Sequence, residues 1–468
     1  MKIMMAASEL SPFAKTGNFA DEMLALATHL KAAGHDVSVV IPLYRDAREN
    51  KALKIRKTKV KFSVTVGTAK LPCEIFEATA PDGLPVTLVA RDEFFDRSGL
   101  YGADGRDYQD NSARFIFFTK CVLELARRAS PDVLHVHGWQ TALAPVFVRD
   151  QRLPVTTVLT PHSLEYQGNF WSYDFALTNL SGDYFSTRGV EFYGSLNCLK
   201  GGILFADAVV LPGRRFVSEM QTPEHGCGLE NVLREQSFKL EGIPDGLDEA
   251  AWPVLPDDPD AKAKARAKLV EATGLKSGGR VFLADATATA GLGVDLLLES
   301  LDRLPSDDIR VLLFGPVPAK DALALQIAIR KHRGHFSHFA EVGVPLLQQA
   351  LAGADFLVLP GAVEPGGELL VLAMRNGVIP LAANCGGLRQ FVQDFDPVTG
   401  GGNGYVFYTP SVDAISDTFG RAMDASPQTQ SSLIQAARAT DFSWAASARR
   451  HESLYLRLLR QAGREIAA

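Results

Sequence analysis

The sequence predicts an α/β protein with two doubly wound, Rossmann-like domains that face a central cleft. Two observations lead to this fold class. Short apolar runs of strand length alternate with longer amphipathic runs of helix length along almost the whole chain. The chain also has 468 residues, too many for one ordinary hydrophobic core, and a proline-rich acidic segment interrupts the alternation near residue 255.

The first domain is predicted to span residues 1–255. Its buried strands are expected in the apolar runs HDVSVVIPLY, VTLVAR, DVLHVHG, TTVLTPH and DAVVLPG. Its helices are expected in the longer runs FADEMLALATHLKAAG, NSARFIFFTKCVLELARRA and GSLNCLKGGILFA. Alternating residues and a Pro-Asp-Gly turn predict antiparallel strands in the segment KVKFSVTVGTAKLPCEIFEATAPDGLPVTLVA.

The second domain is predicted to span residues 256–445. A new alternating series contains the strand-like runs RVFLADATA, IRVLLFG, DFLVLPG and VIPLAA, with helical runs between them. Their lengths predict a second doubly wound sheet. A ligand is expected where the carboxyl edges of the two sheets meet the cleft.

Composition excludes several classes of protein. The formal net charge of −6 argues against a general nucleic-acid-binding protein. No apolar run approaches the ~20 residues of a membrane span, and no signal peptide is recognised, so we expect no membrane association and a cytoplasmic location. The five cysteines are widely spaced and form no C-x-x-C pair, which predicts neither a disulfide framework nor a zinc site.

Two groups of histidines invite comparison with a metal site. His135 and His137 alternate along the apparent strand DVLHVHG, while His332, His335 and His338 lie in a basic segment with no nearby carboxylate pair. Polar or packing roles are therefore predicted for all five, and no metal is expected.

A short polar loop, Lys15-Thr16-Gly17-Asn18, separates the first apolar run from the first helical run. A strand, a tight loop and a helix N-terminus together form a common anion site, because the free amides and the helix dipole favour negative charge. The loop is therefore predicted to bind an anion, and a lysine on a surface turn is the plainer alternative.

The chain resembles bacterial glycogen synthases and plant starch synthases, a family of retaining glycosyltransferases with the GT-B fold. The resemblance is carried by segments spread over nearly the full length, among them ASELSPFAKTG, PDVLHVHGWQTALAP, HSLEYQGNF, LKGGILFADAVVLP, GIPDGLDEAAW, LPGAVEPGGE and GNGYVF. It implies transfer of glucose from ADP-glucose to the non-reducing end of an α-1,4-glucan, with no metal or other cofactor. It also implies that residues 446–468 form a helix that crosses back to the first domain.

The resemblance assigns roles to particular residues. His162 and Glu364 match the family's catalytic residues at the transferred sugar. The positions that match the family's donor-binding residues are Lys15, Thr16, Gly17, Asn18, Pro365, Gly366, Gly367, Gly386 and Gly387. Asn18 stands where the family usually has a second glycine, and Cys385 where it usually has threonine before the last glycine pair.

Several family positions are substituted. Thr287 and Leu292 stand where the family has an arginine and a lysine that neutralise the departing diphosphate, and no Lys or Arg occurs from Val281 to Asp302. Gly138 replaces an aspartate and Asp245 an asparagine. Because a metal-free transfer needs cations at the leaving group, we expect the activity to be weak or absent.

Three functions remain open at this point. The first is a glycogen or starch synthase-like enzyme that binds ADP-glucose or ADP and an α-1,4-glucan. The second is a catalytically inactive homologue that binds glucan or regulates an active synthase, either as a homo-oligomer or paired with that synthase. The third is a transferase that has shifted to another donor with less phosphate charge to neutralise. A second synthase gene with the arginine and lysine intact would favour the second function.

Overall fold

The chain folds into two compact units. One comprises Met1–Gly246 together with Trp444–Ala468, and the other comprises Leu247–Ser443. The computed structural model describes residues 1–223, 225–247, 258–286, 293–304, 308–361, 368–384 and 388–464.

The first unit is built on a large sheet with helices on both sides. Its strands are β1 (Lys2–Ala6), β2 (Asp36–Pro42), β3 (Arg56–Val66), β4 (Ala69–Thr79), β5 (Pro85–Ala90), β6 (Gly102–Ala103), β7 (Arg106–Asp107), β8 (Val133–His137), β9 (Thr156–Thr160), β10 (Asn169–Phe170), β11 (Glu191–Phe192), β12 (Ser195–Asn197), β13 (Ala208–Leu211) and β14 (Leu240–Gly242). Its helices are α1 (Phe19–Ala32), α2 (Arg45–Glu49), α3 (Asp92–Phe95), α4 (Asn111–Ala129), α5 (Ala144–Asp150), α6 (Phe175–Thr178), α7 (Cys198–Phe205), α8 (Arg214–Glu219), α9 (Glu230–Glu235) and, from the end of the chain, α18 (Trp444–Gln461).

Nine strands form the large sheet of the first unit in the order β14-β13-β9-β8-β1-β2-β5-β4-β3. The seven strands from β14 to β5 are parallel, while β4 pairs antiparallel with both β5 and β3. The predicted antiparallel insertion is therefore confirmed. The chain runs outward from β1 in both directions, so β1 and β8 flank the point where the strand order reverses.

Alternate residues of β1 show that both faces of this sheet are covered. Ile3 and Met5 pack with α1 and α18 in one apolar cluster, and Met4 and Ala6 pack with α4 and α5 in another. A strand buried on both faces explains why the opening run is almost continuously apolar. The doubly wound arrangement predicted from the sequence is therefore observed in this unit.

One predicted helix is shorter than expected. The run GSLNCLKGGILFA becomes helical only at Cys198, because Ser195–Asn197 form strand β12 of a small three-stranded sheet ordered β10-β12-β11. The side chain of Asn197 accepts a hydrogen bond from the amide of Lys200, which caps the helix at its true N-terminus.

The second unit contains a six-stranded parallel sheet in the order β17-β16-β15-β18-β19-β20. Its strands are β15 (Arg280–Asp285), β16 (Ile309–Phe314), β17 (Phe336–Phe339), β18 (Phe356–Leu359), β19 (Ile379–Ala383) and β20 (Tyr405–Phe407). Its helices are α10 (Pro259–Thr273), α11 (Val294–Ser300), α12 (Ala322–Lys331), α13 (Val344–Gly353), α14 (Glu368–Arg375), α15 (Leu388–Phe391), α16 (Val412–Asp424) and α17 (Pro427–Ala439). Apolar clusters cover both faces of this sheet as well. Among the helices of the described residues, none has the length and apolar character needed to cross a membrane.

Candidate functional site

The candidate site lies at the carboxyl edge of the large sheet in the first unit. The loop with Lys15 follows β1, Gly138 follows β8, His162 follows β9 and Asp245 follows β14. Because β8 lies between β1 and β9, three of these segments leave neighbouring strands on the two sides of the strand-order reversal. Parallel α/β sheets bind their ligands at this place.

A buried carboxylate, that of Glu9, forms hydrogen bonds with the loop after β1. Glu9, which is buried, accepts hydrogen bonds from the Thr16 amide at 2.6 Å and the Thr16 hydroxyl at 2.8 Å. The Tyr101 hydroxyl donates a third at 2.6 Å, and burial raises the pKa of that phenol well above its usual range. The loop is therefore fixed, and its Thr16 amide already has a protein acceptor.

The remaining loop residues have ordinary backbone conformations. Asn18 has φ −68° and ψ −24°, which any residue adopts, so it needs none of the conformational freedom of a glycine. A Cβ placed on Gly17 would meet nothing within 4 Å. Lys15 is half exposed and its Nζ lies 2.5 Å from the carboxylate of Asp21, in the first turn of α1. An anion at this loop would therefore compete with Asp21 for the ammonium group.

His162 is clamped by the start of α1 and by β8. Its Nδ1 lies 3.1 Å from Oε2 of Glu22, and its Nε2 lies 3.0 Å from Nδ1 of His137. The ring of Phe19 packs against its imidazole with centroids 4.4 Å apart. The residue has φ +60°, an uncommon backbone conformation for a non-glycine residue. Both ring nitrogens are thus occupied within the protein.

The two histidines fix each other's tautomers. An ionised glutamate only accepts hydrogen bonds, so the hydrogen of neutral His162 lies on Nδ1 and points at Glu22. Its Nε2 must then accept from Nδ1–H of His137. The Nε2 atom of His137 is buried and has no hydrogen-bond partner among the described residues. In this tautomer the Nε2 atom of His137 carries no hydrogen and is an acceptor without a partner. A buried acceptor without a partner costs less free energy than a buried N–H without a partner, which favours this tautomer.

His135 and His451 form the buried part of the same histidine group. His135 contacts the Tyr455 hydroxyl at 2.7 Å and the Thr160 hydroxyl at 2.8 Å, and its ring centroid lies 4.0 Å from that of His137. Burial lowers the pKa of His135 and of His137 well below the usual value, and lowers the pKa of His451 to about 4. These rings are neutral packing and hydrogen-bonding groups.

Asp245 adds a second carboxylate near His162. Its pKa is raised, first by the loss of water around the carboxyl group and then by the negative charge of Glu22, while His162 lowers it. A large part of the residue keeps contact with solvent, which limits the rise. Asp245 therefore gives the site a second carboxyl group beside that of Glu22.

Gly138 has a backbone conformation that explains its residue type. Its φ is +72°, and a Cβ built there would lie 2.6 Å from Oε1 of Gln140. An aspartate at this position, as the family has, needs both a left-handed backbone and movement of the Gln140 side chain. The substitution is thus matched to the local backbone of this chain.

The second histidine group lies in the second unit and consists of three separate hydrogen-bonding residues. His332 pairs with Asp302 at 2.9 Å, His335 lies 3.0 Å from Arg310, and His338 lies 2.8 Å from the carbonyl of Gly315. Within the described residues, no group of three or more histidine, cysteine, aspartate and glutamate side chains has the arrangement of a metal site.

Several predicted site residues fall outside the part of the chain that the structure describes. They are Thr287, Leu292, Glu364, Pro365, Gly366, Gly367, Gly386 and Gly387, together with Cys385. The two arginines that flank residues 281–302 in the sequence have partners elsewhere: Arg280 lies near Asp355 and donates to Gln430, and Arg303 pairs with Asp413.

The residues that hold this site were missed from the sequence. Glu9 and Tyr101 hold the loop, and Phe19 and Glu22 clamp His162. Phe19 and Glu22 are three residues apart at the start of α1, so they share one helix face directed at β9. The spacing of Phe19 and Glu22 was the one signal in the sequence that these two residues act together, but it did not identify His162 as the residue that they contact.

Known protein families match both halves of the chain. The family model described as the starch synthase catalytic domain matches residues 2–235, and the model described as glycosyl transferases group 1 matches residues 266–440. A glycogen synthase from Opitutus terrae is 34% identical over 97% of this chain and 99% of its own length. Glycogen synthase 2 from Geobacter sulfurreducens is also 34% identical, over 97% and 98%.

Solved structures show the same architecture. The catalytic domain of starch synthase IV from Arabidopsis thaliana, bound to ADP and acarbose, superposes with a TM-score of 0.72 at 26% identity, and covers 98% of this chain and 99% of that one. Sucrose-phosphate synthase from Thermosynechococcus elongatus, at 15% identity and a TM-score of 0.55, covers 98% and 100% and shares the fold alone. The predicted GT-B fold is thus confirmed.

Proposed function

Because the chain belongs to the glycogen synthase and starch synthase family of glycosyltransferases, we propose that it binds ADP-glucose, or ADP, through the loop of Lys15 and takes an α-1,4-glucan as the second ligand. The observation that carries the proposal is the placement of Lys15 and His162 on the segments that follow β1 and β9, the two strands on either side of β8. The Arabidopsis starch synthase binds ADP, a nucleotide like the proposed first ligand, and acarbose, an oligosaccharide analogue like the proposed second ligand.

We expect the donor's diphosphate to meet few cations. Lys15 has to leave Asp21 before it reaches a phosphate, and the Thr16 amide is occupied by Glu9. Residues 281–302 contain no Lys or Arg. Loss of a single preorganised charge contact with a transition state typically costs ~3 kcal/mol, about a hundredfold in rate. We therefore propose slow or absent glucosyl transfer together with weak donor binding.

The sugar side carries a second restraint. A sugar hydroxyl can bond to the His162 ring only by displacing Glu22 from Nδ1 or His137 from Nε2. The first exchange is the easier, because Glu22 is partly exposed and its carboxylate regains water. We propose that His162 contacts a sugar hydroxyl through Nδ1 once Glu22 moves away.

Calorimetric titration of the full chain with ADP and ADP-glucose tests the donor proposal. We expect weak binding that Lys15→Ala reduces by about tenfold, because one cation–phosphate contact is lost. Lys31→Ala serves as the matched control, since Lys31 lies at the far end of α1. Equal affinity of the Lys15→Ala variant and the wild type would refute a phosphate contact at the loop, and low-micromolar binding would show that other cations replace the missing pair.

Incorporation of labelled glucose into glycogen separates the enzyme from the alternative, a catalytically inactive homologue that binds glucan or regulates an active synthase. The missing cation pair favours the alternative. Transfer comparable to that of an active synthase would overturn it. Donor binding without transfer, combined with a change in the activity of an added active synthase, would support it. A parallel assay with glucose 1-phosphate, which carries one phosphate group instead of a diphosphate, tests the third function, a transferase whose donor has less phosphate charge to neutralise.

A further inference from the structure

We propose that Trp171 and Tyr173 form a binding surface for the sugar rings of a glucan chain beside the candidate site. The ligand class rests on the proposed function, whereas the surface is defined by the structure. The two rings, called the aromatic platform below, have centroids 4.4 Å apart and an interplanar angle of 51°. Trp171 is 70% exposed and Tyr173 is 72% exposed. Paired aromatic rings with this exposure are unusual on a surface that meets only water.

The backbone beneath the platform is well supported. Trp171 directly follows β10, whose Asn169 accepts a hydrogen bond at 2.8 Å from the side chain of Asn197 in β12. The same amide also donates to Gln167 at 2.7 Å. The amide of Asp174 donates to the carbonyl of Trp171 at 2.9 Å, which closes the turn between the two rings. The rings are therefore presented by an ordered turn, so ligand binding would lose little conformational entropy in this segment.

The platform adjoins the candidate site through one aromatic contact. Phe170, the residue before Trp171, packs against Trp139 with centroids 5.5 Å apart. Trp139 follows Gly138 at the end of β8, and a Cβ on Gly168 would lie 2.5 Å from the Trp139 ring, so the segment before the platform is seated closely on it. The platform thus lies on the segment that leaves β9 through His162.

The chemistry of the platform fits a neutral sugar polymer. Residues 163–187 contain no Lys or Arg but include Glu165, Asp174 and Asp183, so the segment that carries the platform offers no cation of its own to a phosphate, a nucleic acid or an anionic membrane. Glucose rings present C–H faces that stack on aromatic rings and hydroxyl edges that bond to polar groups. Ser172 and the hydroxyl of Tyr173 supply such groups between and beside the rings. Tyr166, five residues before Trp171 in the sequence, is a further exposed aromatic residue of this segment, at 70% exposure.

The test is binding of maltoheptaose and of glycogen to the full chain. Affinity electrophoresis in glycogen-containing gels and titration with maltoheptaose are compared for the wild type, Trp171→Ala with Tyr173→Ala, and Phe238→Ala. Phe238 is a matched control because it is 79% exposed in the same unit but lies outside this segment. We expect the double variant to bind about tenfold more weakly and the control to bind like the wild type.

The outcomes separate this inference from the proposed function. Unchanged glucan binding by the folded double variant overturns the platform and leaves the proposed function standing. ADP binding by a wild type that binds no glucan also overturns the platform, while the donor proposal survives. A wild type that binds neither ligand overturns both. Sedimentation of both proteins is a further check, since a change of oligomeric state in the double variant would identify the rings as a contact between copies and would overturn a sugar role.

Discussion

The Nδ1 atom of His162 donates its hydrogen to the carboxylate of Glu22, 3.1 Å away. The residue that the family places at the transferred sugar is therefore turned toward a carboxylate of its own protein. Since Glu22 lies one turn beyond the loop of Lys15, a single helix start carries both the partner of Lys15, Asp21, and the partner of His162, Glu22.

Replacement of Glu22 by alanine should release the His162 ring for a sugar hydroxyl. Removal of a negative charge will raise the affinity for ADP and ADP-glucose alike, so the informative quantity is the ratio of the two dissociation constants. We expect ADP-glucose to gain about threefold to tenfold over ADP in Glu22→Ala, and calorimetry with both ligands measures this.

The control for this experiment is Asp245→Asn, which removes a carboxylate near His162 without freeing Nδ1. It should raise both affinities and leave their ratio unchanged. An unchanged ratio in Glu22→Ala would mean that the His162 side chain has no contact with the donor sugar.

Two glycines of the site should respond differently to alanine. Gly138→Ala should lower the free energy of unfolding by about 1–2 kcal/mol, because φ is +72° and the new Cβ meets Gln140. Gly17→Ala should be neutral, because its Cβ would point into open space. Thermal unfolding of the two variants decides the matter, and equal destabilisation would contradict the backbone conformation described for Gly138.

Buried histidines should make the protein sensitive to mild acid. His135, His137 and His451 are neutral in the folded state with lowered pKa values, so the unfolded state binds more protons as the pH falls below about 6.5. Each proton costs about 1.4 kcal/mol of stability per pH unit, down to about pH 4 for His451. Asp245, whose pKa is raised, acts in the opposite direction and by at most one proton.

Unfolding midpoints between pH 5 and pH 8 test this expectation. The free energy of unfolding should fall as the pH drops below 6.5. In His451→Gln the slope of this fall should be smaller by the contribution of about one proton, or about 1.4 kcal/mol per pH unit. A wild type with the same midpoint at pH 5 and pH 7.5 would be incompatible with three buried neutral imidazoles.

Glu9→Gln should loosen the loop of Lys15. The amide nitrogen that replaces one carboxylate oxygen cannot accept from the Thr16 amide or from the two hydroxyl groups, so either that amide loses its acceptor or the hydroxyl groups have to turn. We expect a loss of about 1–3 kcal/mol of stability and weaker ADP binding. Glu77→Gln, on the exposed surface of β4, is the control, and full stability of Glu9→Gln would show that the loop is held by other contacts.

Charge can be returned to the leaving-group side by Thr287→Arg with Leu292→Lys. If missing charge limits the reaction, this variant should raise incorporation of labelled glucose into glycogen by about a hundredfold. Gly138→Asn is a better addition than Gly138→Asp, because asparagine tolerates a left-handed backbone more readily. Inactivity of every variant at full donor binding would locate the defect on the acceptor side.

Sequence patterns predicted the sheets and the strand ends, because buried parallel strands have apolar runs that stop abruptly at functional loops. The strand, loop and helix pattern pointed to Lys15 in this way, whereas His162 was assigned only through the family resemblance. The partners of these residues were not predictable, because Glu9, Tyr101 and Glu22 reach them through contacts that only the folded chain creates. The N-terminal limit of α7 was missed because Asn197 acts both as a strand residue and as a helix cap.

The position of α18 has a consequence for protein synthesis. The first unit is completed by residues 444–461, and Tyr455 of that helix is the hydrogen-bond partner of buried His135. Translation of residues 247–443 takes about 10–40 seconds at the usual ribosomal speed, and through that time the nascent sheet lacks its last helix. Until then the apolar residues that pack with Leu454 and Leu458 stay uncovered, and any product that ends early lacks the helix that covers them.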